Sequence, residues 1–241
     1  MFKSSLQKLL EDGLIWSAER KARPAAPNRA ASCLPLPLAF GRIHEFFFPA
    51  KLIPTVCAVP VYAAEAALRQ DPKLRCLWIG NESWPAPFAF RDLASLPQHL
   101  FIDPPSSKLR LWSIETALRA QTPLLVVAPC KKLNFAASKR LALAAKDSSS
   151  MAILLYSSEA SFARAALPPS AAHSRWLLSP LADPAFESPA WKISLLKIKG
   201  EAPAVTEWIL RRGELRQEGL ETDLKPPFLG RRRAEKRLWK M

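Results

Sequence analysis

Gly41-Arg42-Ile43-His44-Glu45-Phe46-Phe47-Phe48-Pro49-Ala50-Lys51-Leu52-Ile53-Pro54-Thr55 opens the stretch that decides the fold, which runs on to Glu82. Residues 41–48 combine β-branched and aromatic side chains between a Gly and a Pro, the composition of a buried strand. A turn follows at residues 49–54. Residues 55–70 place Val56, Val59, Ala63 and Ala67 on one wide apolar face, the spacing of a helix. Residues 73–80, Lys-Leu-Arg-Cys-Leu-Trp-Ile-Gly, form a second apolar run of strand length. Strand, turn, helix and strand make a βαβ unit, the opening module of a parallel α/β sheet.

The turn of such a unit is where a nucleotide would sit. A phosphate-binding loop, G-x-x-x-x-G-K-[ST], wraps phosphates with backbone N–H groups and reaches them with its Lys, and its hydroxyl holds magnesium. Residues 49–55 contain no Gly, and Pro54 stands directly before Thr55 where that pattern has Lys. Pro supplies neither an N–H nor a charge.

The segment from Gly41 to Pro49 resembles the first core strand of the RecA-type recombinases. Laid on without gaps, the family's loop Lys falls on Pro54 and its first Thr on Thr55. The likeness is closer to the ImuA-like accessory proteins of bacterial mutagenesis cassettes. It rests on Ile43-His44-Glu45, on Leu14-Ile15-Trp16, and on Ser170-Ala171-Ala172-His173-Ser174-Arg175-Trp176. The resemblance covers residues 10–212. It implies a RecA-like α/β core over residues 41–212, with a largely parallel central sheet flanked by helices. Residues 1–40 are expected to form an N-terminal helix and a Pro/Ala-rich linker, and residues 213–241 a flexible basic tail.

The resemblance also assigns a nucleotide site, and this chain departs from it at Pro54 and again at Ala128. Residues 124–127, Leu-Leu-Val-Val, are similar to the strand that carries the magnesium-holding Asp, but Ala128-Pro129 follow. Glu82 falls on the Glu that orients the attacking water in the ATPases, with a plain loop carboxylate as the alternative. Pro49, Lys51, Pro54, Thr55, Glu82 and Ala128 therefore read as a degenerate nucleotide site with no cofactor and no catalytic residue. The implied function is a non-catalytic adaptor in DNA-damage-induced translesion synthesis and mutagenesis. Its implied partners are a Y-family-like polymerase homologue, an error-prone DNA polymerase, and DNA. Two alternatives stay open: a DNA-dependent ATPase in which Lys51 replaces the missing Lys, and a cell-division inhibitor similar to the SulA group.

Charge points to a polyanionic partner: the formal net charge is +14 and the pI near 10.0. Lys131, Lys132, Lys139 and Arg140 cluster around the start of a helix expected from residue 133 or 134 to 146. Lys197 and Lys199 alternate on one face of a strand expected over residues 191–199. Arg231, Arg232, Arg233, Lys236 and Arg237 fill the last twelve residues, with Trp239 as an anchor. These are the candidate DNA or partner contacts, and solvated faces are the alternative. Trp176 is expected to pack inward, with base stacking by Arg175 and Trp176 as the alternative.

With 23 Pro and 7 Gly, the chain favours stiff connections over mobile glycine loops. Cys33, Cys57, Cys76 and Cys130 form no C-x-x-C pair, so structural zinc is not expected and reduced thiols are. No run of about 18 apolar residues occurs, so no membrane contact and a cytoplasmic location are expected. No Ser-His-Asp set, Cys-His pair or G-x-S-x-G is legible among the three His and few Gly.

Overall fold

The computed structural model describes residues 36, 38–49, 57–131, 133–158, 167–181, 190–200, 206–211 and 214–217. The strand–helix–strand opening is present. β1 is Arg42–Pro49, α1 is Ala58–Gln70 and β2 is Arg75–Ile79. Then come β3 (His99–Ile102), α2 (Ser107–Leu118), β4 (Leu124–Pro129), α3 (Phe135–Ser148) and β5 (Met151–Ser158). The chain continues with β6 (Ser174–Leu181), β7 (Ala190–Ile198), β8 (Glu207–Arg211) and β9 (Glu214–Gln217).

All nine strands join one sheet in the order β3-β2-β4-β5-β1-β6-β7-β8-β9. From β3 to β6 the neighbours run parallel, and β7, β8 and β9 are added antiparallel. The mixed α/β class with a largely parallel sheet is therefore observed, with an antiparallel extension at one end.

Strand alternation sorts β1 onto two cores. Phe46 and Phe48 face α1, where Val59, Ala63 and Ala67 meet Trp78, Val127, Ile153 and Trp176. Ile43 faces the other side, where Ile79, Val126 and Leu154 pack under Ile114 and Leu118 of α2 and Leu141 and Ala145 of α3. Among the described residues one helix covers one face of the sheet and two cover the other, making three layers. Central strands such as β4 and β5 are apolar on both faces, as burial on both sides requires.

Local chemistry fixes the ends of the elements. Ser106 Oγ accepts from Leu109 N–H at 3.2 Å to start α2, and Asn134 Oδ1 accepts from Ala137 N–H at 2.8 Å to start α3. Between β2 and β3 the chain makes the 3-10 turns Pro87–Ala89 and Leu93–Gln98. Pro97 and the Glu65 carboxylate, which accepts from the N–H groups of Arg91 and Asp92, break the α pattern there. β6 begins at Ser174, and side chains hold the backbone of residues 171–172 just before it. The sheet also continues past residue 212, since β9 pairs with β8. Its four-residue, mostly polar sequence gave little strand signal.

Candidate functional site

The carboxyl ends of β1, β4 and β2 converge at one edge of the sheet, the edge where open α/β folds bind ligands. Register fixes their relative depth. Leu155 of β5 stands opposite Phe46 of β1 on one side and Pro129 of β4 on the other. β1 therefore runs on through Phe47, Phe48 and Pro49, roughly 10 Å beyond the level of Pro129. Pro49 is exposed at that tip. Lys51, Pro54 and Thr55, the remaining residues expected in the turn, lie outside the described residues, as does the start expected for the helix at residue 55.

Ala128, the position that the resemblance assigns to the magnesium-holding Asp, is completely buried. It packs with Ile79 and Leu154 beneath the two-helix face. Cys130 follows, and burial pushes its thiol up to about 12, with the Glu45 carboxylate pushing the same way. A thiol held there is protonated near neutral pH and is a weak nucleophile and ligand.

Glu82 sits in the short turn Asn81–Ser83 directly after β2. Its carboxylate is engaged by Arg110 of α2, with Nη2 2.8 Å from Oε2 and 2.9 Å from Oε1. Gly80 makes this approach possible. Its φ is +94, and a Cβ there would lie 2.8 Å from Arg110 Nε. Asn81 is fastened to Asp103, donating from Nδ2 at 3.0 Å. Both acids at this edge are thus tied to neighbouring side chains. On the register that the resemblance implies, the described residues would offer a magnesium nucleotide a buried methyl at Ala128 and a Glu82 already paired with Arg110.

The sequence reading missed a polar seam through the sheet itself. His44 and Glu45, adjacent on β1, point to opposite faces. On the α1 side, His44 Nδ1 meets Ser174 Oγ at 2.7 Å, and Trp176 Nε1 donates to the same oxygen at 2.6 Å. The other ring nitrogen lies 3.0 Å from the Ala39 carbonyl. On the α3 side, Glu45 Oε2 accepts from Arg175 Nε at 2.8 Å, and Ser170 donates to Oε1. Ser138 of α3 shares a hydrogen bond with Ser170 at 2.9 Å and accepts from Ala171 N–H. Arg175 also donates to the Pro168 carbonyl at 2.6 Å and lies over the Phe47 ring. Trp176 and Arg175 are both buried, so base stacking by either is not available. The signal was present in the sequence: His, Glu and Arg inside apolar strand runs demand partners.

The basic candidates are dispersed. Lys131 and Lys139 are exposed near the carboxyl edge, but Arg140 turns to Glu115 of α2 at 2.9 Å, which it shares with Arg119 at the same distance. Lys132 lies outside the described residues. Lys197 stands opposite Arg175 on β6, beside a bulge at Leu196. Lys199 falls just past the end of β7, with its N–H donating to His173, so the expected two-Lys strand face is one strand residue and one loop residue. Arg231, Arg232, Arg233, Lys236, Arg237 and Trp239 lie outside the described residues. Among the described residues no group of His, Cys, Asp and Glu is placed to hold a metal ion, and no helix is long and apolar enough to cross a membrane.

No family model matches the chain, and the search of curated proteins finds no match.

Proposed function

We propose that this chain is a non-catalytic, RecA-like adaptor in DNA-damage-induced translesion synthesis, joining a Y-family-like polymerase homologue to an error-prone DNA polymerase. The observation that supports this reading best is Ala128, buried at the carboxyl end of a central strand where a working relative keeps its metal-holding acid. An enclosed methyl at that place removes magnesium chemistry and leaves the sheet as a rigid platform. The ion-paired Glu82 and the protonated Cys130 thiol agree with it. Lys131, Lys139 and Lys197 are exposed cations suited to an acidic partner surface or a phosphate backbone.

The mechanism is scaffolding. The adaptor raises the effective concentration of one polymerase beside the other, so that two weak contacts act as one strong one. The test is reconstitution from purified components. The full chain, immobilised, should retain both polymerase classes together, and omitting it should separate them. Failure to retain either purified polymerase, with the chain shown to be folded, overturns the proposal.

A further inference from the structure

The sheet ends in two unlike edges. β9 presents Glu214, Arg216 and Gln217 to solvent, and charges of this kind discourage strand pairing. β3 is apolar. Leu100, Phe101 and Ile102 are 48%, 42% and 42% exposed, although they lie in a strand. Leu100 and Ile102 stand opposite Leu77 and Ile79 and so share the α2 face. Phe101 is on the other face, stacked on Trp78 with centroids 6.4 Å apart and met edge-on by Trp84 at 5.5 Å. Both sides of the edge strand are therefore apolar.

The backbone of β3 is half used. Gly80 N–H donates to the Ile102 carbonyl, so Ile102 faces β2. Strand alternation then turns Phe101 N–H and C=O outward, together with the His99 C=O and the Asp103 N–H.

We propose that β3 pairs with β3 of a second copy, antiparallel about a twofold axis through Phe101, making one sheet across two molecules. The sequence is self-complementary in this register. Phe101 opposes Phe101 as a hydrogen-bonded pair, which its outward backbone groups require. Leu100 opposes Ile102 twice, as the close non-hydrogen-bonded pair in which side chains pack best. His99 opposes Asp103, so no two like charges meet along the seam. His99 itself is buried and accepts from Trp78 Nε1 at 3.0 Å, which leaves its carbonyl for the partner. The same face is matched with itself, as a closed twofold dimer requires. This inference is independent of the adaptor reading, because it rests on the edge strand alone.

Sedimentation of the full chain over a broad concentration range tests it. A monomer–dimer equilibrium is expected, tightening with added salt because each copy carries +14. Phe101→Glu is expected to raise the dimer dissociation constant about a hundredfold or more, since two carboxylates would meet at the axis. If that variant folds poorly, Ile102→Lys gives the same reading from a side chain that makes no ring stack. Register is tested by cross-linking with Cys33 replaced by Ser. Phe101→Cys should join two copies through a disulfide, at a Cα separation of about 5.5 Å, and Leu100→Cys should not. A monomer at all concentrations, a dimer insensitive to both edge substitutions, or equal cross-linking by the two cysteines overturns the proposal. A monomer whose β3 amides are protected from exchange would overturn it too, and would assign the edge to another segment of this chain.

Discussion

Glu45→Ala is expected to destabilise the fold by about 3–5 kcal/mol, the cost of leaving a buried charge without its partner. Arg175 is 8% exposed at its side chain and Glu45 3%. Truncating Glu45 leaves the guanidinium inside the sheet with only the Pro168 carbonyl and the face of Phe47. It also strips Ser170 of its acceptor, and with it the link from β1 through Ser170 and Ser138 to α3. Arg175→Ala should cost a similar amount by leaving the carboxylate. The sharper reading is the double variant Glu45→Leu with Arg175→Leu. Removing both charges should recover much of the loss, because a buried ion pair is worth little against well-packed apolar side chains. Urea denaturation of the wild type, the single variants Glu45→Leu and Arg175→Leu, and the double variant gives the coupling directly. Single variants that lose under about 1 kcal/mol, or a double variant that loses the sum of the two, would contradict the buried-pair account.

His44 carries the second large effect, on the acid limb of stability. Burial lowers its pKa from 6.5 to about 3, with the charges of His173 and Arg42 adding to the fall and the Ala39 hydrogen bond opposing it. The folded protein therefore holds the ring neutral while the unfolded chain protonates near pH 6.5. The unfolded state binds more protons between these values, so stability is full above pH 6.5 and declines as the pH drops towards 3. The limiting slope is about 1.4 kcal/mol per pH unit for one His, and the accumulated loss reaches several kcal/mol. His99 acts in the same direction, because burial lowers its pKa against the pull of Glu65. Melting the protein from about pH 7 down to about pH 4.5 should show a steady fall, and His44→Gln should flatten it. A melting temperature insensitive to pH over that interval, with the wild-type chain folded throughout, would contradict the neutral buried ring.

The layout of the sheet was legible where the signal is periodic. Residues 124–127 and 151–156 are uninterrupted apolar runs, residues 41–48 carry Ile43 and Phe46 to Phe48 around His44 and Glu45, and each stretch lies in a strand buried on both faces. The start of α3 was legible to within one residue, at 133 or 134, because Asn134 is a residue of the N-cap type. Inward packing of Trp176 was legible too, since a Trp in an apolar run has few other places to go. The β9 strand was hidden because Glu214-Leu215-Arg216-Gln217 has one apolar residue, and its pairing is with a backbone rather than a core. The Glu45–Arg175 pair was hidden for a different reason. Its members are 130 positions apart, and only the parallel pairing of β1 with β6, which sets Glu45 beside Arg175, brings them together. The dispersal of the basic cluster was beyond reach as well, because Arg140 is claimed by Glu115 on another helix. At the candidate site, the resemblance marked Ala128 as a departure from a working ATPase and Glu82 as a match to its Glu, and the structure adds what surrounds them: an apolar core around one and Arg110 against the other.

Isothermal titration of the full chain with MgATP, with and without single-stranded DNA, tests the central claim most directly. An adaptor with Ala128 enclosed and Glu82 ion-paired is expected to release no binding heat in either case. Saturable micromolar binding, abolished by Lys51→Ala, would contradict it and make the chain a nucleotide-using protein with an atypical phosphate loop.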